Sequence, residues 1–174
     1  MSDATPNPYR RGGRWMLAAA WLLILGGLYW YFSAWTSAQN NPNTAAVLDA
    51  QQGELTLLRN RAGHYVADGE INGRRVSFLL DTGATEVALP VAIARELGLK
   101  RGAAVTVQTA NGAGAGFETR LNRVRVGPIE MRDVTAIVGD GIADDTVLLG
   151  MSFLKRVEFT QRGDRLILRP LPSR

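Results

Sequence analysis

Hydrophobic positions divide the chain into one long apolar block near its start and a series of short apolar runs after it. The block Trp15–Trp35 contains no charged residue. As a helix rising about 1.5 Å per residue it would span roughly 30 Å, the thickness of a hydrocarbon core. From Glu54 onward the runs are short, β-prone and separated by turn signals. The pattern therefore predicts a single transmembrane helix at residues 15–35 and a β-domain at residues 54–174.

Turn signals set the predicted order of elements in the β-domain. Asn72-Gly73, the strongest two-residue hairpin signal, separates His64–Ile71 from Arg74–Leu80. Pro90 opens a short helix that Gly98 closes. The other predicted elements are strands at Val87–Leu89, Ala103–Thr109, Phe117–Val126, Met131–Val138, Val147–Leu149, Val157–Phe159 and Leu166–Leu168, with a turn at Ser152–Lys155. One short helix among many strands predicts an all-β, barrel-like domain rather than an alternating α/β one.

Charge at the ends of the apolar block predicts its orientation. Three arginines lie between residues 10 and 14, and the next basic residue is Arg59. The positive-inside rule therefore predicts a cytoplasmic basic tail at residues 1–14 and a β-domain on the far side of the membrane. The alternative is a signal peptide cleaved near Ala34 or Ala38, although its apolar region would exceed the usual length of about 7–15 residues.

The stretch between the apolar block and the β-domain, residues 36–53, differs from both in composition. It is rich in Asn, Gln, Ala, Ser and Thr and contains Pro42. Such segments favour a solvated chain over a packed one. We expect a flexible, exposed linker, at which the domain could also release itself from the membrane.

Composition excludes several classes of function. A length of 174 residues allows one ordinary domain and an appendage. The absence of cysteine excludes disulfides, a thiolate nucleophile and cysteine-type zinc sites. The only histidine is His64, and the sequence contains no Gly-x-Ser-x-Gly motif that would supply a serine nucleophile for it to activate. A net charge of +4 without a basic stripe gives no reason to expect a nucleic-acid partner. The residues imply neither a metal site nor an organic cofactor.

One acidic residue is distinguished by its position. Phe78-Leu79-Leu80 leads into Asp81-Thr82-Gly83, so an apolar strand delivers a carboxylate into a tight turn. Such a carboxylate is costly to bury unless it is hydrogen-bonded or shares its charge. The tripeptide alone is a weak signal, and it occurs once. Two further elements follow it in order, a glycine-rich hairpin tip at residues 110–116 and Leu148-Leu149-Gly150.

This order of Asp-Thr-Gly, glycine-rich hairpin and Leu-Leu-Gly resembles the retropepsin-type aspartic proteases of clan AA. With the apolar block, the chain looks like their bacterial membrane-anchored branch, and the resemblance covers about Glu54–Arg169. It implies a closed β-barrel with one lobe per chain, in which Asp81 is the catalytic acid. The other site residues it implies are Thr82 at the dimer axis, Gly83 and Ala84 in the active-site loop, Asn111 and Gly112 at the flap tip, and Leu148, Leu149 and Gly150 as support.

A single Asp81 supplies half of such an active site, and without an internal repeat the other half must come from a second copy. Two carboxylates about 3 Å apart share one proton and activate a water that attacks the peptide bond. The resemblance, together with the single Asp81, therefore implies a homodimeric aspartic endopeptidase that is anchored in a bacterial inner membrane and cleaves proteins or peptides in the periplasm.

Two other interpretations of the whole chain remain open. A flap of Gly and Ala, without Trp or Tyr, is compatible with a non-catalytic peptide-binding or scaffolding module of the same fold. Asp81 could instead be a buried structural acid in an unrelated β-domain. Glu86 belongs either to the active-site network or to the surface, and Phe117 belongs either to a substrate wall or to the core.

Overall fold

The computed structural model describes residues 9–44, 53–109, 112–140, 142 and 146–171. Its helices are α1 (Tyr9–Asn40), α2 (Val91–Glu96) and α3 (Met151–Leu154). Its strands are β1 (Leu55–Leu58), β2 (Val66–Ile71), β3 (Arg74–Leu80), β4 (Val87–Pro90), β5 (Ala104–Thr109), β6 (Gly112–Val126), β7 (Ile129–Gly139), β8 (Thr146–Leu149), β9 (Val157–Arg162) and β10 (Arg165–Pro170). Contacts divide the chain into two compact units, Met1–Ala38 and Gln39–Arg174.

The first unit contains most of α1. Its segment Trp15–Thr36 is 22 residues long and apolar enough to cross a membrane, and its large apolar side chains are exposed. The helix continues past the apolar block to Asn40, so it includes residues 36–40 of the expected linker. It ends just before Pro42, because a residue that precedes a proline disfavours the helical conformation.

Six strands of the second unit close into a barrel. Around the ring the order is β2, β3, β8, β4, β7 and β6, and pairing of β6 with β2 closes the ring. The last strand of this sheet, β5, forms a hairpin with β6. The pairs β3–β8 and β4–β7 are parallel. The predicted all-β closed barrel with few helices is therefore confirmed.

A small antiparallel sheet of three strands, in the order β1, β10, β9, shares its core with the barrel. Alternate residues on one face of β1 and β10 are buried, as the two-residue period of a strand requires: Leu55, Leu57, Leu166 and Leu168. Strand β1 was not among the strands singled out from the sequence. Its four residues are too few for periodicity to reveal a strand.

The composition of the core decides between the two interpretations of Phe117, a substrate wall or a core residue. Its largest fully buried side chains include Phe78, Phe153, Leu121, Ile129 and Leu149. Phe117 is buried in the same cluster, and the guanidinium carbon of Arg101 lies 4.5 Å from the centre of its ring. The core interpretation of Phe117 is therefore the one observed.

The glycine-rich hairpin is more regular than its sequence predicts. Strand β6 begins at Gly112 rather than at Phe117, and it pairs with β5 as far as Thr109. A Cβ on Gly116 would lie 2.6 Å from Val107 Cγ2, so the glycine permits close packing between the two strands. Tertiary pairing thus overrides the low intrinsic strand propensity of glycine. Residues 110 and 111, at the tip, lie outside the described part of the chain.

The residues that follow α1 differ from the expectation of a solvated linker. Asn43 is fully buried, and its side-chain amide is hydrogen-bonded to β1 and β2. A polar side chain is stable in such a position only where its hydrogen-bonding groups are paired, and the folded strands supply these partners. The rest of the expected linker, residues 45–52, falls outside the described residues.

Candidate active site

Asp81 lies at the end of β3, where the loop 81–86 must pass over another strand to reach β4. In the sheet, β8 lies between β3 and β4. Leu80 pairs with Leu149 in the parallel β3–β8 ladder, and the Asp81 amide donates a hydrogen bond to the Leu149 carbonyl at 3.2 Å. The barrel therefore places the Asp-Thr-Gly and Leu-Leu-Gly segments in direct contact.

The carboxylate of Asp81 is oriented by its own turn. Its Oδ1 accepts a hydrogen bond from Gly83 N at 2.8 Å, and its carbonyl accepts one from Ala84 N at 3.3 Å. A carboxylate that binds the amide two residues further on forms an Asx turn, which fixes the side chain against the backbone. Asp81 is half-buried, whereas Thr82 and Gly83 are exposed. The loop thus presents one oriented carboxylate at the surface.

Gly150 supports this loop through backbone contact. A Cβ at this position would collide with Glu86 O and would lie 2.7 Å from Ala84 O. The following amide, Met151 N, donates to Ala84 O at 2.8 Å. Glycine permits this approach because it has no side chain. The loop is therefore held at a distance that any other residue at position 150 would increase.

Ser152 is a further supporting residue, which the sequence reasoning placed only in a turn. Its Oγ accepts a hydrogen bond from Val87 N at 3.0 Å and donates one to Thr135 O at 2.8 Å. The side chain is buried, and it ties the first residue of β4 to β7. The one signal in the sequence was a hydroxyl between the apolar residues Met151 and Phe153.

Glu86 ends the loop and carries a buried oxygen. Among the described residues, its Oε2 has no hydrogen-bond partner. Its main chain is the part of the loop that lies against Gly150. An unpaired buried oxygen costs about 1–3 kcal/mol. Glu86 is therefore a half-buried part of the loop 81–86 rather than an ordinary surface charge.

The β5–β6 hairpin occupies the position along the chain of the flap that the resemblance implies. Gly112 is the first residue of β6, and its φ of 107° lies in the region that favours glycine. Asn111, the other expected tip residue, lies outside the described residues. The hairpin continues directly into the barrel, because β6 is one of the six strands of the ring.

The clear electrostatic perturbations lie on strands away from the loop 81–86. Arg125 donates a hydrogen bond to Glu70 at 2.7 Å, which holds the pKa of Glu70 below its usual range and raises the pKa of Arg125. The Glu54 carboxylate likewise raises the pKa of Arg169. Across the described residues, no group of three or more His, Cys, Asp or Glu is placed to hold a metal.

A closed barrel whose Asp-Thr-Gly loop lies over a Leu-Leu-Gly strand is the arrangement that the resemblance to retropepsin-type aspartic proteases implies. Residues 67–156 match the model of the family described as gag-polyprotein putative aspartyl protease. The chain belongs to the retropepsin-like aspartic protease family. The family and fold implied by the sequence resemblance are thus confirmed.

Individual relatives agree with this assignment. The chain is 34% identical to a retropepsin-like aspartic protease from Rickettsia conorii whose crystal structure is known, with a TM-score of 0.54 and coverage of 67% of this chain and 89% of that one. It is 36% identical to an uncharacterized protein in the cobV 5' region of Sinorhizobium sp., over 74% of this chain and 58% of that protein.

An uncharacterized protein of Rickettsia prowazekii (strain Madrid E) is also 36% identical, over 67% of this chain and 51% of that protein. The chain therefore spans little more than half the length of these two curated relatives.

Proposed function

We propose that this protein is a homodimeric aspartic endopeptidase whose active site is built from Asp81 of two copies of the chain. The observation that carries the proposal is the single oriented carboxylate at the end of β3, held by Gly83 N and presented in an exposed loop. One such carboxylate cannot form an acid–base pair by itself. A second copy related by two-fold symmetry would bring an identical loop to the same axis.

Each element of the loop suits that arrangement. Exposed Thr82 and Gly83 are available to a second loop, and Gly83 has no Cβ to keep the two backbones apart. Contacts from Gly150 and Ser152 fix the loop before dimerisation. Two carboxylates that meet in a fixed geometry would share one proton and titrate as a coupled pair.

The reaction follows from this shared proton. The ionised Asp81 accepts a proton from a water, whose oxygen attacks the carbonyl carbon of the peptide bond. The protonated Asp81 of the other copy donates its proton to the carbonyl oxygen, which gives a tetrahedral diol. The Asp81 that took the proton from water then donates it to the amide nitrogen, while the other Asp81 accepts a proton from one hydroxyl of the diol. The C–N bond breaks, and a free amine and a carboxylic acid leave. The water is the nucleophile, so no covalent enzyme intermediate forms.

The β5–β6 hairpin provides a surface for the substrate. An extended peptide can add hydrogen bonds along such an edge in the manner of an extra strand. The substrate would therefore be an unfolded or extended segment of a protein, because a folded helix cannot present its backbone to the hairpin.

The N-terminal helix suggests where the reaction takes place. Trp15–Thr36 is long and apolar enough to cross a membrane, and the arginines before it would keep the N-terminus in the cytoplasm. We propose a single-pass protein of a bacterial inner membrane with its protease domain in the periplasm. Two copies anchored at the same membrane face would dimerise at a raised effective concentration.

Cleavage of an unfolded protein substrate by the full-length chain tests the enzyme proposal. Assayed at pH values from about 3 to 7, the wild type should cleave the substrate. Asp81→Asn should reduce cleavage at least about 100-fold, since the general acid–base contribution is lost. Asp133→Asn is the matched control, because Asp133 has a φ of 52° that asparagine tolerates equally well.

Mixed dimers test whether two copies form one site. Wild-type and Asp81→Asn chains carrying different affinity tags are co-expressed, and the mixed dimers are isolated through both tags. They should be as inactive as the Asp81→Asn homodimer. Half the wild-type activity would show that each chain works alone and would contradict the shared site.

The composition of the glycine-rich hairpin supports a second candidate function, that of a non-catalytic peptide-binding module. Strand β6 begins with Gly112, and glycine and alanine occupy every position as far as Gly116. This module would bind extended peptides as a dimer and leave them intact throughout the same pH range. Binding without cleavage by a dimeric wild-type protein would favour it.

A further inference from the structure

A short segment after α1 is bonded into the β-domain. The docked segment, Gln39–Thr44, belongs to the same compact unit as the barrel. Asn60 Nδ2 donates a hydrogen bond to Asn40 O at 3.0 Å, and Arg61 donates one to Gln39 Oε1 at 2.7 Å. Because eight residues lie outside the described structure between Thr44 and Gly53, these bonds join parts of the chain that are separated in sequence.

Asn43 makes the deepest of these contacts. Its Nδ2 donates to Leu58 O and to Val66 O, both at 2.8 Å, and its Oδ1 accepts from Leu58 N at 2.7 Å. Both donors and the acceptor of the amide are thus used, and the residue is 0% exposed. The side chain joins the end of β1 to the start of β2, and so ties the small sheet to the barrel.

Asn41 and Thr44 set the conformation that inserts Asn43. Asn41 Oδ1 accepts a hydrogen bond from Asn43 N at 3.0 Å, and Thr44 Oγ1 donates to Asn41 O at 3.2 Å. Asn41 Nδ2 also donates to Asp68 Oδ1 at 2.8 Å. Pro42 restricts the backbone between them. These local bonds fix the turn that carries Asn43 in the docked segment.

One edge of strand β2 is available to the docked segment. Strand β2 pairs with β3 from Val66 to Ile71, but it pairs with β6 only from Gly69 to Ile71. The outer edge of β2 from Val66 to Asp68 is therefore not paired with β6. Asn43 and Asn41 form hydrogen bonds to residues of that edge. An open strand edge is a docking surface for another piece of chain.

We propose that the edge of β2 at Val66–Asp68 and the end of β1 form a docking site for Asn41–Thr44. Binding of Asn41–Thr44 to this site holds the β-domain to the N-terminal part of the chain independently of the peptide bonds in residues 45–52. A single cut in residues 45–52 then leaves the domain attached, and release needs a second event that withdraws Asn43. The docking site does not depend on proteolytic activity, and it changes the expectation that one cut in the linker would free the domain.

The test uses the full-length chain in detergent, with an N-terminal affinity tag and the recognition sequence of a specific endopeptidase substituted within residues 45–52. After complete cutting, the tagged fragment is captured and washed with high salt. The C-terminal fragment should stay bound to it. In Asn43→Ala, the C-terminal fragment should dissociate at least about ten times faster, because three buried hydrogen bonds are lost.

Asn40→Ala is the matched control. Asn60 binds the main-chain oxygen of Asn40, and the Asn40 residue is exposed, so the substitution leaves the docking contacts in place. This variant should retain the C-terminal fragment as the parent does. Equal dissociation rates for the Asn40 and Asn43 variants would contradict the docking site, as would immediate loss of the parent fragment on cutting.

A second variant decides the outcome if Asn43→Ala does not fold, which a thermal transition of the uncut chain reveals. Asn41→Ala keeps the three bonds of Asn43 but removes the bond to Asp68 and the turn that presents Asn43. It should dissociate faster than the parent after cutting, by roughly two- to tenfold. A rate equal to that of the parent would overturn the proposal.

Discussion

The α-carbon of Gly150 lies against the main chain of Glu86, with no room for a side chain between them. The contact links the residue after β8 to the last residue of the loop 81–86. The loop cannot keep its position if this distance grows, because Met151 N is bonded to Ala84 O in the same loop. The geometry of Asp81 therefore depends on a glycine far away in sequence.

Gly150→Ala should consequently lower both stability and activity. The added methyl would force the main chains apart, at a cost of about 1–3 kcal/mol in the free energy of unfolding. Displacement of the loop should also reduce cleavage of a peptide substrate more than the loss of folded protein explains. Urea denaturation and activity measured per folded molecule separate the two effects.

Gly27→Ala provides the control for this substitution. A Cβ on Gly27 would meet nothing within 4 Å, so this variant should retain the stability of the β-domain and its activity. If Gly150→Ala behaved in the same way as Gly27→Ala, the close contact with Glu86 would not be what holds the loop.

Ser152→Ala should destabilise the domain through lost hydrogen bonds rather than through a collision. It would leave Val87 N, in a buried residue, and Thr135 O, in a half-buried one, without their serine partner. Each unpaired group costs about 1–3 kcal/mol, so the free energy of unfolding should fall by roughly 2–4 kcal/mol. Denaturant unfolding measures this change, and Ser33→Ala, an exposed substitution on α1, should have no effect on it.

The pairing of the Asp81 loop with Leu148-Leu149-Gly150 was expected from the resemblance to retropepsin-type proteases, because the local pattern of each segment predicts only a strand and its end. Each is an apolar run that ends in a residue unsuited to continue it. The roles of Ser152 and Asn43 were not predictable. Their partners are distant in sequence, Val87 for Ser152 and Leu58 and Val66 for Asn43. A polar residue reveals such a role only when the folded chain brings the partners to it.

The start of β6 shows a second limit of the sequence. Gly112 and Gly116 have low strand propensity and suggested a loose hairpin tip, yet both lie in the ladder with β5. The lack of a side chain at Gly116 is what lets β5 and β7 approach β6: a Cβ there would lie 2.6 Å from Val107 Cγ2 and 2.7 Å from Val138 O. Close packing of this kind depends on neighbours that the local pattern does not contain.

Glu86→Gln should raise the stability of the domain at neutral pH. The Oε2 of Glu86 is buried without a hydrogen-bond partner in the described part of the chain, and a charged oxygen is more costly to bury than a neutral amide. The free energy of unfolding should increase by about 1 kcal/mol. A decrease in chemical denaturation experiments would show instead that the charge is paired in the assembled protein.

The ion pair between Glu70 and Arg125 makes a small part of the stability depend on pH. The hydrogen bond from Arg125 is the main reason why the pKa of Glu70 is lowered, and Coulombic attraction to Arg125, Arg123 and Arg75 acts in the same direction. A carboxyl whose pKa is lower in the folded chain stabilises the fold above the pKa of the unfolded chain, near about 4.3.

That contribution is lost as the pH falls through the folded pKa of Glu70. The difference in unfolding free energy between wild type and Glu70→Gln should therefore be constant at neutral pH and shrink on acidification below about pH 4. Its size should be small, because Arg125 is exposed and Glu70 is only half-buried. Titration of the Glu70 side-chain carboxyl by NMR gives the direct measurement. In Arg125→Gln the midpoint should move upward, since the principal hydrogen bond is gone, and an unchanged midpoint would show that Arg125 does not set the pKa of Glu70.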